Sequence, residues 1–205
     1  AATRPVIIVG HAVRFHMGAI TTLAEQMNAP VITTFKAKGQ IPDDHPLACG
    51  VLGRSGTPVA SWFMNECDAM LVLGASFSNH TGIYAGKPIV QVDFDPLQLG
   101  KFHPVEAPVW GEIGVTVTLL AERLGAARSD RADQRPELAE RWAIWRAEKL
   151  SREEDDRGRG VNSAAVFAAL NRHVPARAVI AVDVGNNAYS FGRYFECKAG
   201  QSVLM

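Results

Sequence analysis

The sequence predicts an α/β protein: a doubly wound parallel sheet with helices on both faces, followed by an incomplete second α/β unit. Three observations carry this. Short apolar runs rich in Val and Ile recur, and most end on Gly, Asp or Thr. Segments of helical period stand between them, so strand and helix alternate, which makes a parallel sheet with crossover helices. Past Leu124 a charged stretch breaks the pattern before a second strand–helix unit begins.

Taken in order, Pro5–Gly10 (PVIIVG) reads as a strand covered on both faces, because its apolar residues do not alternate with polar ones. Gly18–Asn28 reads as a helix with Ile20, Leu23, Ala24 and Met27 on one face. Pro30–Thr34 is the next strand. Thr57-Pro58 is an N-cap followed by proline at the first helical position, opening a helix to Glu66. Ala69–Gly74 and Pro88–Phe94 are the third and fourth strands, Pro108–Gly111 a short fifth, and a helix then runs to about Leu124.

Gly125–Arg135 is small and charged, the composition of a surface linker. Pro136 opens a helix whose Leu138, Trp142 and Trp145 form one apolar stripe, suited to packing against a neighbouring domain. Ser151–Gly160 is a second charged linker. Beyond it Asn162 caps a helix to about His173, Ala178–Val184 reads as a buried strand, Gly185 makes a turn, Ala188–Phe195 is helical, and a last strand precedes Met205. The expected organisation is therefore residues 1–124, a linker with its helix over 125–160, and a truncated unit over 161–205.

Composition narrows the class. The 205 residues are 47% apolar, enough for a full core, and 21 basic residues balance 21 acidic ones, which argues against nucleic acid as partner. No apolar run approaches the roughly 20 residues that cross a bilayer, so no membrane is expected. Three widely spaced cysteines (Cys49, Cys67 and Cys197) do not make a disulfide framework, and a cytoplasmic location follows as the expectation. The six histidines are scattered; His11 and His16 are not spaced to place two ligands on one helix face, so no metal site is expected.

In an open parallel sheet, ligands sit beyond the carboxyl ends of the strands. Three glycine-bearing loops fall there or at a helix start: Gly10–Arg14, Gly50–Thr57 and Gly74–Gly82, with Asp93 and Asp95 ending the fourth strand. Gly10, Gly53, Gly56, Gly74 and Asp93 are the candidate lining of a nucleotide crevice, Asp93 being placed for ribose hydroxyls. None of these loops is a G-x-G-x-x-G fingerprint, and glycine is also what tight strand-to-helix turns need.

Taken together, these segments resemble a known family. Lys38–Pro46 (KGQIPDDHP), Gly53–Thr57 (GRSGT), Leu73–Phe77 (LGASF), Val92–Pro96 (VDFDP) and Trp110–Ile113 (WGEI) resemble, in order and spacing, the middle domain of thiamine-diphosphate enzymes of the acetolactate synthase and pyruvate oxidase type. Val182–Asn187 (VDVGNN) resembles the turn that opens that family's diphosphate-binding domain. The resemblance implies the family's NAD/FAD-binding type of middle-domain fold. It also implies that Val184, Gly185, Asn186 and Asn187 reach thiamine diphosphate, and that the parent protein uses Mg2+. The parent is then expected to decarboxylate, oxidise or carboligate a small 2-oxo acid, as a homo-dimer or tetramer. Ser76 stands where flavin-binding members carry arginine, and Glu112 where they carry aspartate, so the crevice either holds FAD, holds another nucleotide or is vestigial. The G-D-G magnesium motif is expected beyond Met205. No catalytic acid, base or nucleophile is identified, and the fragment by itself is expected to be an inactive scaffold. The alternative is a stand-alone FAD- or NAD-type nucleotide-binding module without thiamine chemistry. A sirtuin-like deacylase is disfavoured, since zinc-binding cysteine pairs and a G-A-G-[IV]-S loop do not occur.

Overall fold

A computed structural model describes residues 2–125, 132–155 and 158–205. Residues 126–131 of the first expected linker and 156–157 of the second lie outside the described residues.

The strands are β1 (Pro5–Val9), β2 (Val31–Thr33), β3 (Ala48–Val51), β4 (Ala69–Leu73), β5 (Ile89–Asp93) and β6 (Ala107–Trp110). They form one parallel sheet in the order β3-β2-β1-β4-β5-β6. The chain thus builds outward from β1 on one side, returns, and builds outward from β4 on the other. The predicted α/β class is borne out.

β1 explains why both faces are covered. Its residues are all buried, and alternate ones serve opposite cores. Val6 and Ile8 join Phe63 and Met64 of α2 (Pro58–Glu66) and Leu138, Trp142 and Trp145 of α4 (Arg135–Glu153). Ile7 and Val9 join Ile20, Leu23 and Ala24 of α1 (Met17–Met27) and Ile113 and Val117 of α3 (Ile113–Leu124). The tryptophan stripe of α4 therefore completes the second face of the first sheet. Trp142 Nε1 also donates to the β3 carbonyl of Ala48 at 2.7 Å.

The helix ends follow from their residues. Thr57 Oγ1 accepts from Ala60 N at 3.0 Å and caps α2. Asn28 takes the left-handed conformation, φ 50°, and ends α1. Asn162 Oδ1 accepts from Ala165 N at 2.9 Å and caps α5 (Ser163–His173).

Two expectations need correction. Gly50 and Val51 are expected in a loop, and no strand is expected over Ala48 and Cys49: the segment Ala48-Cys49-Gly50-Val51 has only one β-branched residue, and Gly50 sits at φ +79°. It is a strand because β2 supplies its ladder, with a register shift between Val31 and Ile32. The first strand of the trailing unit, expected as a buried run over Ala178–Val184, is also shorter and barer than expected. β7 (Val179–Ala181) pairs in parallel with β8 (Ser202–Leu204) in a sheet of its own, and Val179 is 70% exposed. α5 and α6 (Asn186–Tyr194) cover one face only, through Phe167, Phe191 and Phe195. Ile180 packs there, and its neighbours in β7 do not.

Charge ties this unit to α4. The Glu196 carboxylate accepts from Arg146 Nη2 at 2.8 Å and from Lys149. Burial alone would raise the Glu196 pKa; the bonds from Arg146 and Lys149 outweigh it and hold the group below its ordinary value of 4.5. A lowered carboxylate stabilises the fold above the unfolded value and loses that contribution as pH falls through the lowered one. In thermal melts, Glu196→Gln should therefore lie below the parent by a constant margin at neutral pH. The margin should close on acidification below 4.5. A margin that persists at low pH would show that Glu196 acts by packing rather than charge.

Candidate cofactor sites

Strand order reverses between β1 and β4, and the loops leaving these two strands part there to open a crevice of about 730 Å³. Gly10 N donates to Leu73 O at 2.9 Å and Gly74 N to Val92 O at 3.0 Å, which fixes the two loop starts against the sheet. A Cβ on Gly10 would lie 1.8 Å from Gly74 O, so only glycine allows this approach. Gly74 has φ +59° and faces Ala12 and Ile113.

Gly10, Gly74 and Asp93 line the crevice together, with Ser76 and Asp95. Gly53 and Gly56 do not. A Cβ on Gly53 would lie 1.9 Å from His80 O, and one on Gly56 2.3 Å from Val51 O. Both glycines serve close backbone packing behind the crevice.

Asp93 is buried and accepts from Asp95 N at 3.0 Å through one oxygen. Burial pushes its carboxyl above the usual range, which the Asp95 N–H only partly offsets. Since burial favours the neutral form, stability falls as pH rises from the ordinary carboxylate range through the raised value, and the loss is complete above it. Asp93→Asn keeps an acceptor for Asp95 N and removes the charge. It should raise unfolding stability at neutral pH, read by urea denaturation. A loss of stability would mean that the carboxylate is held by a bond that the amide cannot make.

Sequence reasoning missed three features here. Arg14 and Lys36 bring cations to the crevice wall. His16 Nε2 and Glu112 Oε1 meet at 2.9 Å, joining the starts of α1 and α3. Glu112 also accepts from Gly114 N and Val115 N, so it caps α3; these N–H groups hold its carboxyl below the usual range. Helix pairing brings the last two together across 96 residues, and no local pattern encodes that. Phe77 holds φ +53°, rare for a bulky side chain, and its buried ring meets His103 edge-on with centroids 5.8 Å apart. Nothing in the residue type signals that conformation.

The other candidate residues lie apart from the crevice, at the start of α6. Gly185 is the N-cap, with φ 149° and ψ −176°, a region open essentially to glycine alone. Val184 is 98% exposed, and Asn186 and Asn187 are exposed too. The backbone N–H groups of Asn186 and Asn187, and their side chains, have no hydrogen-bond partner among the described residues. A Cβ on Gly185 would meet nothing within 4 Å, so the approach to these donors is open. Exposed N–H groups at the positive end of a helix dipole suit a phosphate. Among the described residues no cluster of three or more His, Cys, Asp or Glu side chains could hold a metal ion. No helix there is long and apolar enough to cross a membrane.

Residues 1–120 match the family model described as thiamine pyrophosphate enzyme, central domain. The chain is similar to the sulfoacetaldehyde acetyltransferase of Rhodobacter capsulatus, 30% identical over 230 residues that cover 100% of this chain and 39% of the relative. It is similar to the acetolactate synthase large subunit of Haemophilus influenzae, 29% identical over 203 residues, 91% of this chain and 34% of the relative. Against the acetolactate synthase of Mycobacterium avium it is 31% identical over 150 residues, 70% of this chain and 24% of the relative. The chain thus spans well under half the length of these relatives.

Proposed function

Because this chain belongs to the thiamine pyrophosphate enzymes through its central domain, we propose that it is part of a thiamine-diphosphate- and magnesium-dependent enzyme that acts on a 2-oxo acid. The observation that carries the cofactor reading is the open start of α6, where a glycine-only backbone leads into two exposed asparagines. Val184, Gly185, Asn186 and Asn187 would hold the diphosphate edge: the N–H groups of Asn186 and Asn187 donate, and the side-chain amides add further donors. Bound thiamine diphosphate supplies the electron sink for breaking the bond beside the substrate carbonyl. The chain's own part is positional, and we assign no acid, base or nucleophile of the reaction to it. Residues 1–124 act as the central scaffold, 161–205 as the start of the diphosphate-binding domain, and the stretch between as their connection.

The crevice at β1 and β4 supports a nucleotide as second ligand, FAD included. Its narrow glycine floor, the Asp93 carboxylate and the cations of Arg14 and Lys36 suit a ribose and a diphosphate. Assembly as a homo-oligomer and a reducing, cytoplasmic setting belong to the same reading; the three cysteines are free and buried.

The test is to assay the full-length protein for carbon dioxide release from pyruvate and other 2-oxo acids, with and without thiamine diphosphate and Mg2+. Release that needs both additions supports the reading. FAD or NAD bound tightly, with no thiamine-dependent turnover on any 2-oxo acid, would replace it with that of a nucleotide-binding module.

A further inference from the structure

Two of the sequence segments that resemble the family, Lys38–Pro46 and Gly53–Thr57, contribute nothing to the crevice lining. Both instead grip α6 and the strand that follows it. Lys38 and Asp43 are 3% and 5% exposed, and their side chains pair at 3.1 Å. The same Asp43 oxygen accepts from Cys197 N at 2.7 Å, while Asp43 N donates to Cys197 O at 2.8 Å. The Lys38 ammonium stands 5.7 Å from the centre of the Phe191 ring. Gly39, at φ +84°, lies so close to Val203 of β8 that a Cβ would come within 2.8 Å of it. Next to Phe191 on α6, Gly192 leaves room for Ser55 O, which a Cβ would meet at 2.4 Å. Arg193 donates to Gly56 O and Arg54 O, each at 3.2 Å.

An apolar contact would hold α6 in several nearby positions at similar energy. A buried charge does not: Asp43 is satisfied only when the Cys197 backbone stands opposite it. Any slip of α6 leaves a carboxylate and an ammonium buried with fewer partners, which is strongly unfavourable. Buried polar groups can set register in this way at some expense in stability.

We propose that Lys38 and Asp43 are positioning residues: a buried clasp that fixes the register of α6 on the central domain. Gly185, Asn186 and Asn187 thereby come to stand at one set distance from it. The clasp's meaning for catalysis rests on the reading of those residues as the diphosphate edge; the clasp itself does not.

Hydrogen exchange on this chain tests it. In Asp43→Asn, the amides of residues 188–197 should lose protection by at least about tenfold, while those of β1 and β4 keep theirs. Lys38→Met should produce the same regional loss. The double variant should lose less than the product of the two single effects, because the pair acts as a unit. Unchanged protection at 188–197, or equal loss in β1 and β4, overturns the clasp. Should Asp43→Asn give no folded chain, Lys38→Met alone decides between regional and uniform loss.

In the full-length enzyme, Lys38→Met should raise the thiamine diphosphate concentration for half-maximal rate by about tenfold, with kcat regained at saturation. A regional exchange effect in a protein whose turnover needs no thiamine diphosphate would keep the clasp and discard the cofactor reading.

Discussion

Gly10→Ala is expected to cost this chain at least about 3 kcal/mol of unfolding stability, the largest effect of any single methyl group on the crevice. Backbone conformation is not the reason, since Gly10 is extended, with φ −99° and ψ −176°. The cause is steric: the added Cβ would lie 1.8 Å from Gly74 O and 2.6 Å from Ala75 Cα. Those are backbone atoms, so no side chain can turn aside. Gly10 N is bonded to Leu73 O and Gly74 N to Val92 O, so neither loop can withdraw without breaking its link to the sheet. Urea denaturation measures the cost. Gly18→Ala is the control, because a Cβ there meets nothing within 4 Å and the site is in the first turns of α1. It should stabilise by roughly 0.5–1 kcal/mol. A Gly10→Ala midpoint equal to that of the parent would mean that the two loops part readily and that the crevice floor is not fixed.

Trp142→Ala is expected to cost about 3–5 kcal/mol, in the range for large aromatic truncations. The indole is 4% exposed and lies in the core between α4, α2 and the sheet. It also satisfies the Ala48 carbonyl at 2.7 Å, on an edge strand that has β2 as its one neighbour. Truncation opens a cavity and leaves a buried acceptor unpaired. Trp142→Phe separates the two effects: it retains most of the packing and should cost about 1–3 kcal/mol, chiefly for the lost bond. A Trp142→Ala chain as stable as its parent would mean that α4 is an appendage to the first sheet rather than part of its core.

What the sequence disclosed follows the range of the interactions involved. Thr57 and Asn162 were readable as caps because a cap is a contact over three residues. The uninterrupted apolar run of β1 announced a strand buried on both faces, and it is one. β3 carried no such signal, because its pairing comes from β2 and not from its own composition. β7 was apolar enough to look buried, yet its sheet holds two strands and its helices cover one face. The strand-end rule located Gly10, Gly74 and Asp93 on the crevice. It also pointed to Gly53 and Gly56, since a glycine that admits a ligand and one that admits a neighbouring carbonyl look alike in sequence. Lys38 and Asp43 stood in a recognisable segment, but their partner Cys197 lies 154 residues beyond Asp43, out of reach of any local pattern.

The proposed assignment of the start of α6 to the diphosphate is tested most directly by Gly185→Ala in the full-length enzyme. The substitution meets no neighbouring atom but cannot keep φ 149° without strain. It should therefore shift the Asn186 and Asn187 N–H groups while leaving the first sheet intact. The account predicts that the thiamine diphosphate concentration for half-maximal rate rises at least about tenfold, with unfolding of the central domain unchanged. An unaltered half-saturating concentration in that variant would contradict it, and would move the cofactor away from Gly185.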